Sequence, residues 1–446
     1  MNTVWDKLET VIIGGGIAGI VCAHMLSKSG HTVTIIEADK ILSGVTSHTT
    51  AHIISLQGIF SDIPTRRKRK LYFASQAEAI NGIENLVRQY QIDCDFKGVD
   101  GFVFAGDSDK KDLIKEYKVM RKFTSNIEFN ENHKAPFGVC STIKLANQAI
   151  FNPIKFCCAV LENSPNVRVI ENCRIKKVHL FRKKIKAEDK VFKYKRIIIA
   201  TGFPIVNIRG LYAFKMYKSF SYAAYTPSTT KFNAVYNSIS ADGFTYRDID
   251  YGIIIGGLDH RTGRWKCDKY FDILKEESAK FTKKIPLKNP ATKNGVFDQG
   301  NQWEANDCMT FDHIPYAGRM FRIFNRNAFV ITGFGKVGMT NSYACAKIVT
   351  DIINKHKNPY KRLFKPTRIL NIRVWHKILW NFLQDSACLM AGLFSSRKRR
   401  CPHMGCRLKL NPNTKTYDCP CHGSRFTNDG DIIVSPAVRT RGHPER

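Results

Sequence analysis

One short stretch, Val11-Ile-Ile-Gly14-Gly-Gly16-Ile-Ala-Gly19-Ile, limits the fold more than any other part of the chain. Three apolar residues run into glycines spaced Gly-x-Gly-x-x-Gly, and an apolar helix pattern continues until Leu26-Ser-Lys-Ser-Gly30 ends it. A second strand, Thr32-Val-Thr-Ile-Ile36, then closes on the acidic Glu37. A strand pair joined by a crossover helix is the βαβ unit of an α/β sheet covered by helices. The glycines differ in what they permit. Gly14 makes the tight turn, Gly16 lets the backbone approach a pyrophosphate, and Gly19 allows close helix–strand packing. The helix N-terminus turns free N–H groups and a positive dipole toward phosphates. Glu37 stands where it can accept a hydrogen bond from a ribose hydroxyl. A merely tight turn would need neither the flanking strands nor the acidic end-stop, so the unit reads as a dinucleotide site, with FAD and NAD both open.

Three further segments bear on that choice. Lys195-Arg-Ile-Ile-Ile199-Ala-Thr201-Gly202 is an apolar strand ending in Ala-Thr-Gly. Ala328-Phe-Val-Ile-Thr332-Gly333-Phe-Gly-Lys336-Val-Gly338-Met339-Thr340 reads as a strand, a glycine-rich turn and a helix start, and Gly44-Val-Thr46-Ser-His48-Thr49-Thr50-Ala51 follows the first βαβ unit. Together they resemble the flavin segments of the D-amino-acid-oxidase-like (DAO) superfamily of FAD-dependent oxidoreductases. The resemblance implies that Thr46, Thr49 and Thr50 lie beside the flavin phosphates and ring. It likewise puts Thr201 and Gly202 in the second flavin segment, and Gly333, Gly338, Met339 and Thr340 in the third. In that superfamily the last turn aims backbone N–H groups and a helix N-terminus at the flavin, where negative charge builds up on reduction. No second Gly-x-Gly-x-x-Gly follows a strand, so FAD is the expected cofactor and a separate NAD(P)H domain is not expected. Asn341-Ser342 departs from the glycine usual at that point of the family.

Residues 401–446 carry Cys401-Pro-His403-Met-Gly-Cys406 and then Cys419-Pro-Cys421-His422-Gly-Ser424. Two Cys-plus-His pairs suit a [2Fe–2S] centre in which histidines replace the thiolates on one iron, and such spacing also suits tetrahedral zinc. The tail closely resembles the Rieske family. That resemblance implies Cys401 and Cys419 on one iron, His403 and His422 on the other, and a Cys406–Cys421 disulfide tying the two loops together. Zinc leaves Cys406, Cys421 and the Gly-Ser after His422 unexplained. Only the basic run Arg397 to Arg400 precedes Cys401, where Rieske domains normally place several strands. The cluster is therefore expected to be thinly covered or walled by the body of the protein. Ser435-Pro436-Ala437 replaces a Gly-Pro-Ala near it. Asp93-Cys-Asp-Phe with Gly101-Phe-Val-Phe, Asn147-Gln148-Ala-Ile-Phe-Asn-Pro153 and Asp312-His-Ile-Pro315-Tyr-Ala-Gly318 also resemble DAO-like oxidoreductases carrying a C-terminal Rieske domain, so the likeness spans residues 10–365 and the tail.

The expected fold class is α/β: a Rossmann-type FAD-binding domain with an inserted antiparallel-sheet substrate domain, plus a small all-β Rieske-like C-terminal domain that is N-terminally shortened. Residues 1–365 form the body, with flavin-binding parts near 1–60, 150–205 and 305–365 and the substrate domain near 61–149 and 206–304. Helical patterns near 68–90 and 268–284 are expected to pack on the substrate domain. Residues 366–400 are a helical, basic connector. Its apolar stretch, with Trp375, Trp380 and Leu383, is expected to pack on the flavin domain rather than lie on a membrane.

No run of eighteen apolar residues exists, so no transmembrane helix is expected, and no secretory signal is read at the N-terminus. Of fourteen cysteines, four lie in the cluster segment and the rest are scattered, which fits a reducing cytoplasm rather than a secreted disulfide framework. The formal charge of +32 fits a solvated basic surface, with an acidic one-electron carrier or anionic lipid as further readings; the basic runs lack interleaved aromatics, so nucleic acid is not an expected partner.

A flavin takes two electrons and a Rieske cluster carries one, so their joint presence implies a converter. The superfamily resemblance points to oxidation of an amine or amino acid, with electrons relayed singly through the cluster to an external acceptor. The alternatives are a flavin oxidase with a vestigial cluster domain and a redox-responsive binding protein with a basic surface. Arg247 and His260 are candidates for a carboxylate clamp and a polar orienter in the substrate pocket, against simple hydrogen bonding in the core; no catalytic residue is assigned.

Overall fold

The computed structural model describes residues 3–187, 190–206, 210–282, 302–321 and 325–441. The stretch 283–301, read above as substrate domain, lies outside the described residues. The strand Thr3–Ile13 runs parallel to Val33–Ile36 on one side and Lys190–Ile199 on the other. Val167–Ile170 and Ala328–Thr332 extend the parallel order outward, and Tyr316–Arg319 adds an antiparallel edge. All four residues of Val33–Ile36 are buried, as a strand covered on both faces requires. Alternation sorts the strands into two cores. Ile12, Ile198 and Ile331 face the helices Ile17–Lys28 and Gly338–Ile353, while Val11, Ile197 and Val330 face the opposite layer.

A second, nine-stranded sheet carries the order Gln302–Thr310, Met216–Pro227, Gly252–Arg261, Phe244–Ile249, Ala234–Ser238, Lys97–Ala105, Gly138–Ile150, His52–Ile53, with Ile127–Ala135 beside Gly138–Ile150. Its pairs are antiparallel except Ala234–Ser238 with Lys97–Ala105. The helix Tyr270–Ala279 lies on this sheet and shares its aromatic core through Tyr270 and Leu274. The helix Arg66–Gln89, expected to pack on this sheet, packs on Gly338–Ile353, where Gly82 has no side chain to keep the Tyr343 ring away.

The chain leaves the body through a buried clamp. Arg368 donates to both carboxylate oxygens of Asp312, at 2.8 and 2.7 Å, and its guanidinium lies 3.9 Å from the centre of the Tyr316 ring. The helix Ile372–Leu393 follows, capped by the Asn371 side chain, which accepts from the Arg373 N–H. It packs on the body along one face, where Val374 and Ile378 meet Phe311 and Leu370; of its residues Val374, Ile378, Asn381 and Gly392 are buried. Four short antiparallel strands, Lys409–Leu410, Tyr417–Asp418, Arg425–Phe426 and Ile432–Val434, complete the tail.

Candidate functional site

The glycine turn, Glu37 and the Ala200-Thr201 turn lie together where the parallel strands end, while Thr49 and Thr50 lie toward the second sheet. The Gly14 N–H donates to the Ile36 carbonyl and the Ala200 N–H to the Ile13 carbonyl, so Gly14, Glu37 and Ala200 are neighbours. Gly14 has φ +114°, and a Cβ there would collide with the Ala200 carbonyl oxygen; a Cβ on Gly19 would collide with the Gly14 carbonyl oxygen. Gly16 begins the helix without a side-chain cap, and buried Thr46 serves instead, its Oγ1 accepting from the Ile17 N–H at 3.1 Å. Glu37 accepts from the Gly15 N–H at 2.7 Å and from the Ala38 and Asp39 N–H groups. It thereby fixes the glycine turn, and a carboxylate retains lone pairs for a ribose hydroxyl. The cradle of backbone free of side chains at a helix N-terminus fits a pyrophosphate.

Farther along, Thr201 Oγ1 donates to the Phe203 carbonyl at 2.9 Å, and Thr332 Oγ1 donates to the Gly202 carbonyl, joining the second and third segments. Gly333 adopts φ +79°, Gly338 and Met339 open the helix Gly338–Ile353, and Thr340 Oγ1 donates to the Ile54 carbonyl. Asn341 stands in place of the usual glycine and ties the turn down. Its Nδ2 donates to the Phe334 carbonyl, and its Oδ1 accepts from Gln76 Nε2, pinning the turn to the helix Arg66–Gln89. Lys336, which the sequence reading passed over, is half-buried in the same turn and pairs with Asp259 at 3.0 Å and Asp307 at 3.6 Å.

Arg247 and His260 are not brought to one pocket. Arg247 is buried, donates to the Ala51 and Phe151 carbonyls, and lines a cavity of about 230 Å³ with Thr49, Asn152 and Asp250. Burial pushes its guanidinium down to about 10. His260 belongs to the aromatic core. Its Nδ1 lies 2.9 Å from the Arg261 carbonyl, its Nε2 lies 3.2 Å from the Tyr222 hydroxyl, and its ring stacks on Phe220 and Tyr270. Thr50 packs its methyl group toward Gly256.

The two Cys/His loops are built alike. The Cys401 N–H donates to the Cys406 carbonyl and Gly405 N–H to the Cys401 carbonyl, while Cys419 N–H donates to Ser424 and Gly423 N–H to Cys419. Gly405 and Gly423 hold matching positive φ values of +90° and +71°. The His403 and His422 rings stand 5.2 Å apart and nearly perpendicular, and the thiols of Cys406, Cys419 and Cys421 lie within 4.8 Å of one another. Cys406 Sγ and Cys421 Sγ are 2.7 Å apart. Burial lowers His403 to about 4 and lowers His422 as well, so both imidazoles are neutral, as ligation requires. His422 hydrogen-bonds the Ala213 backbone, and its Nδ1 is buried with no hydrogen-bond partner among the described residues. Two buried thiols, two neutral imidazoles and an orphaned ring nitrogen fit a mixed Cys/His cluster.

The wall that the shortened tail lacks comes from elsewhere. Cys388 and Leu389 of the helix Ile372–Leu393 pack against the buried core that contains the four cluster-segment cysteines. On the other side, Lys218 Nζ donates to the Ser435 carbonyl, Arg261 donates to the Cys421 carbonyl, and Gly263 leaves room for Pro420. Arg425 is buried across this seam, paired with Asp418 at 3.1 Å and reaching Glu304 at 3.1 Å. Removing one partner of a buried pair leaves the other uncompensated. Arg425→Met should therefore destabilise the tail by about 3 kcal/mol. Urea unfolding should show it, and Asp418→Asn in the same chain should restore part of the loss.

Residues 9–352 match the family of FAD dependent oxidoreductases (DAO), and residues 381–443 match the Rieske [2Fe-2S] domain. The chain belongs to the FAD dependent oxidoreductase family. It carries a C-terminal Rieske domain, whose match begins inside the helix Ile372–Leu393 and decides for iron–sulfur over zinc. YhfW of Bacillus subtilis, which bears the name of a Rieske 2Fe-2S iron-sulfur protein, is 28% identical over 494 residues, covering 97% of this chain and 92% of its own. Among solved structures, an L-proline dehydrogenase from P. horikoshii superposes with TM-score 0.65 at 20% identity, covering 81% of this chain and 98% of its own. A glycine oxidase from Geobacillus kaustophilus gives TM-score 0.64 at 15% identity, covering 82% of this chain and 100% of its own. These likenesses establish the fold of the family member, a flavoenzyme body with mixed sheets and a small β tail. Its cofactors are FAD and a [2Fe–2S] cluster.

Proposed function

We propose that the enzyme oxidises the C–N bond of an amine or amino acid and relays the electrons one at a time to an external acceptor, an acidic carrier being the kind its charge would attract. Bound FAD accepts a hydride and the bound cluster carries single electrons. The FAD-contacting residues are Gly14, Gly16, Gly19, Glu37 and Thr46 at the strand-end edge, Thr49 and Thr50 between that edge and the second sheet, and Thr201, Gly202, Gly333, Gly338, Met339 and Thr340 on the flavin side. Cys401 and Cys419 take one iron, His403 and His422 the other, and Cys406–Cys421 forms the disulfide. Substrate class draws support from the fold neighbours, whose names are those of enzymes of proline and glycine. A reducing cytoplasm suits the cysteines scattered through the body.

One contact carries the relay. The chain passes from the end of strand Lys190–Ile199 through Thr201 and Gly202 to Phe203, which is wholly buried. The Phe203 ring meets the His422 ring edge-on, with centroids 5.6 Å apart. One short segment thus touches both the nucleotide edge and a cluster histidine. Phe203→Leu should leave flavin reduction by substrate unchanged and slow the following cluster reduction about tenfold, since transfer between held groups depends on their placement. Anaerobic stopped-flow absorbance checks the rates, and an unchanged cluster EPR spectrum excludes loss of the site. Equal cluster reduction in both proteins would remove Phe203 from the route.

A further inference from the structure

We infer that the helix Ile372–Leu393 is a membrane-surface anchor that lays its outer face on an anionic lipid bilayer. Its inner face, Val374, Ile378, Asn381, Asp385, Cys388 and Gly392, repeats every three or four residues and is committed to the body and cluster segment. The opposite face is exposed and mostly apolar, with His376 set among its apolar residues. Ile372, Leu379, Leu383 and Met390 follow one line, with Trp375 and Trp380 flanking it. Ile372 is 78% exposed, Leu379 59% and Trp380 63%, and the flanking Ile369 and Phe394 reach 82% and 88%. Exposed large apolar side chains gathered on one face of a helix mark an interaction site. The helix is about 33 Å long, and no helix among the described residues is long and apolar enough to cross a membrane. The face can therefore lie along a bilayer but not span one.

Charge selects the occupant. Between Ile369 and Arg400 the only acidic residue is Asp385, which is turned inward and paired with Arg261 and Arg264. Arg373 and Lys377 flank the apolar face, and Arg397, Lys398 and Arg399 are exposed at its end. Basic residues beside an apolar helix face, with tryptophans near the boundary, match the headgroup region of an anionic leaflet. A second copy of the chain would bring another +32 against the first, which repulsion opposes.

Flotation of the holoprotein with phosphatidylcholine vesicles, with and without phosphatidylglycerol, tests this. The wild type should float with the phosphatidylglycerol vesicles, less so as salt rises, and its tryptophan emission should shift to the blue. The triple variant Leu379→Gln, Trp380→Gln, Leu383→Gln should partition about tenfold less; its altered side chains are exposed, so its flavin content and thermal unfolding should match wild type. Wild type that stays below the anionic vesicles at low salt overturns the inference. So does a triple variant that floats equally well, which leaves charge alone as the attraction. A wild-type dimer that the variant converts to monomer, with neither floating, makes a second copy the occupant instead.

Discussion

Replacing Cys419 by serine is expected to give a yellow protein without iron. The Cys419 thiol is buried among Cys401, Cys406 and Cys421, while its loop is held by backbone bonds, Cys419 N–H to Ser424 and Gly423 N–H to Cys419, that serine preserves. The change therefore removes a soft thiolate ligand and little else. Loss of a ligand should weaken the centre by more than the roughly 100-fold that follows loss of a group supporting one. Iron and sulfide analysis should fall to background, FAD content should hold, and substrate should still bleach the flavin at the wild-type rate. Turnover with an artificial one-electron acceptor should collapse. Undiminished turnover would take the cluster off the path and favour a flavin oxidase with a vestigial tail.

Gly14 and Gly16, neighbours in the chain's first glycine turn, separate cofactor loss from fold loss. Gly14→Ala places a Cβ on a backbone at φ +114° and drives it into the Ala200 carbonyl. Strain of about 1–3 kcal/mol and overpacking of similar size should lower thermal stability and empty the flavin site. At Gly16 the nearest obstacle to a Cβ is Thr46 Oγ1 at 3.1 Å. Gly16→Val should thus unfold near the temperature of flavin-free wild type, yet be colourless, because the branched side chain takes the space where backbone meets pyrophosphate. A fully yellow Gly16→Val protein would remove the nucleotide from this loop.

What the sequence displayed were features written locally. Buried parallel strands are near-continuous apolar runs, so Val11 to Ile13, Val33 to Ile36 and Ile197 to Ile199 could be placed, and glycine spacing and Cys/His order marked both cofactor segments. What stayed hidden depends on residues far apart. The Lys218–Ser435 and Arg425–Glu304 contacts join segments 217 and 121 residues apart, and Phe203 looks like any core phenylalanine until His422 is set against it. His260, polar and set in an Asp-His-Arg-Thr run, reads like a site residue, yet aromatic stacking holds it in the core. The connector shows a different limit: one of its faces packs on the body as expected, through Val374 and Ile378 beside Phe311 and Leu370, and the other stays exposed. Nothing in the local sequence distinguishes a helix face that meets the core from one left outside.

The most direct test of the relay is low-temperature EPR of anaerobically purified protein whose flavin has been reduced by an amino-acid substrate. A rhombic spectrum of low average g, the mark of mixed Cys/His ligation, appearing as the flavin bleaches is the predicted result. A sample that contains FAD and iron, bleaches on substrate and remains EPR-silent until dithionite is added would contradict it.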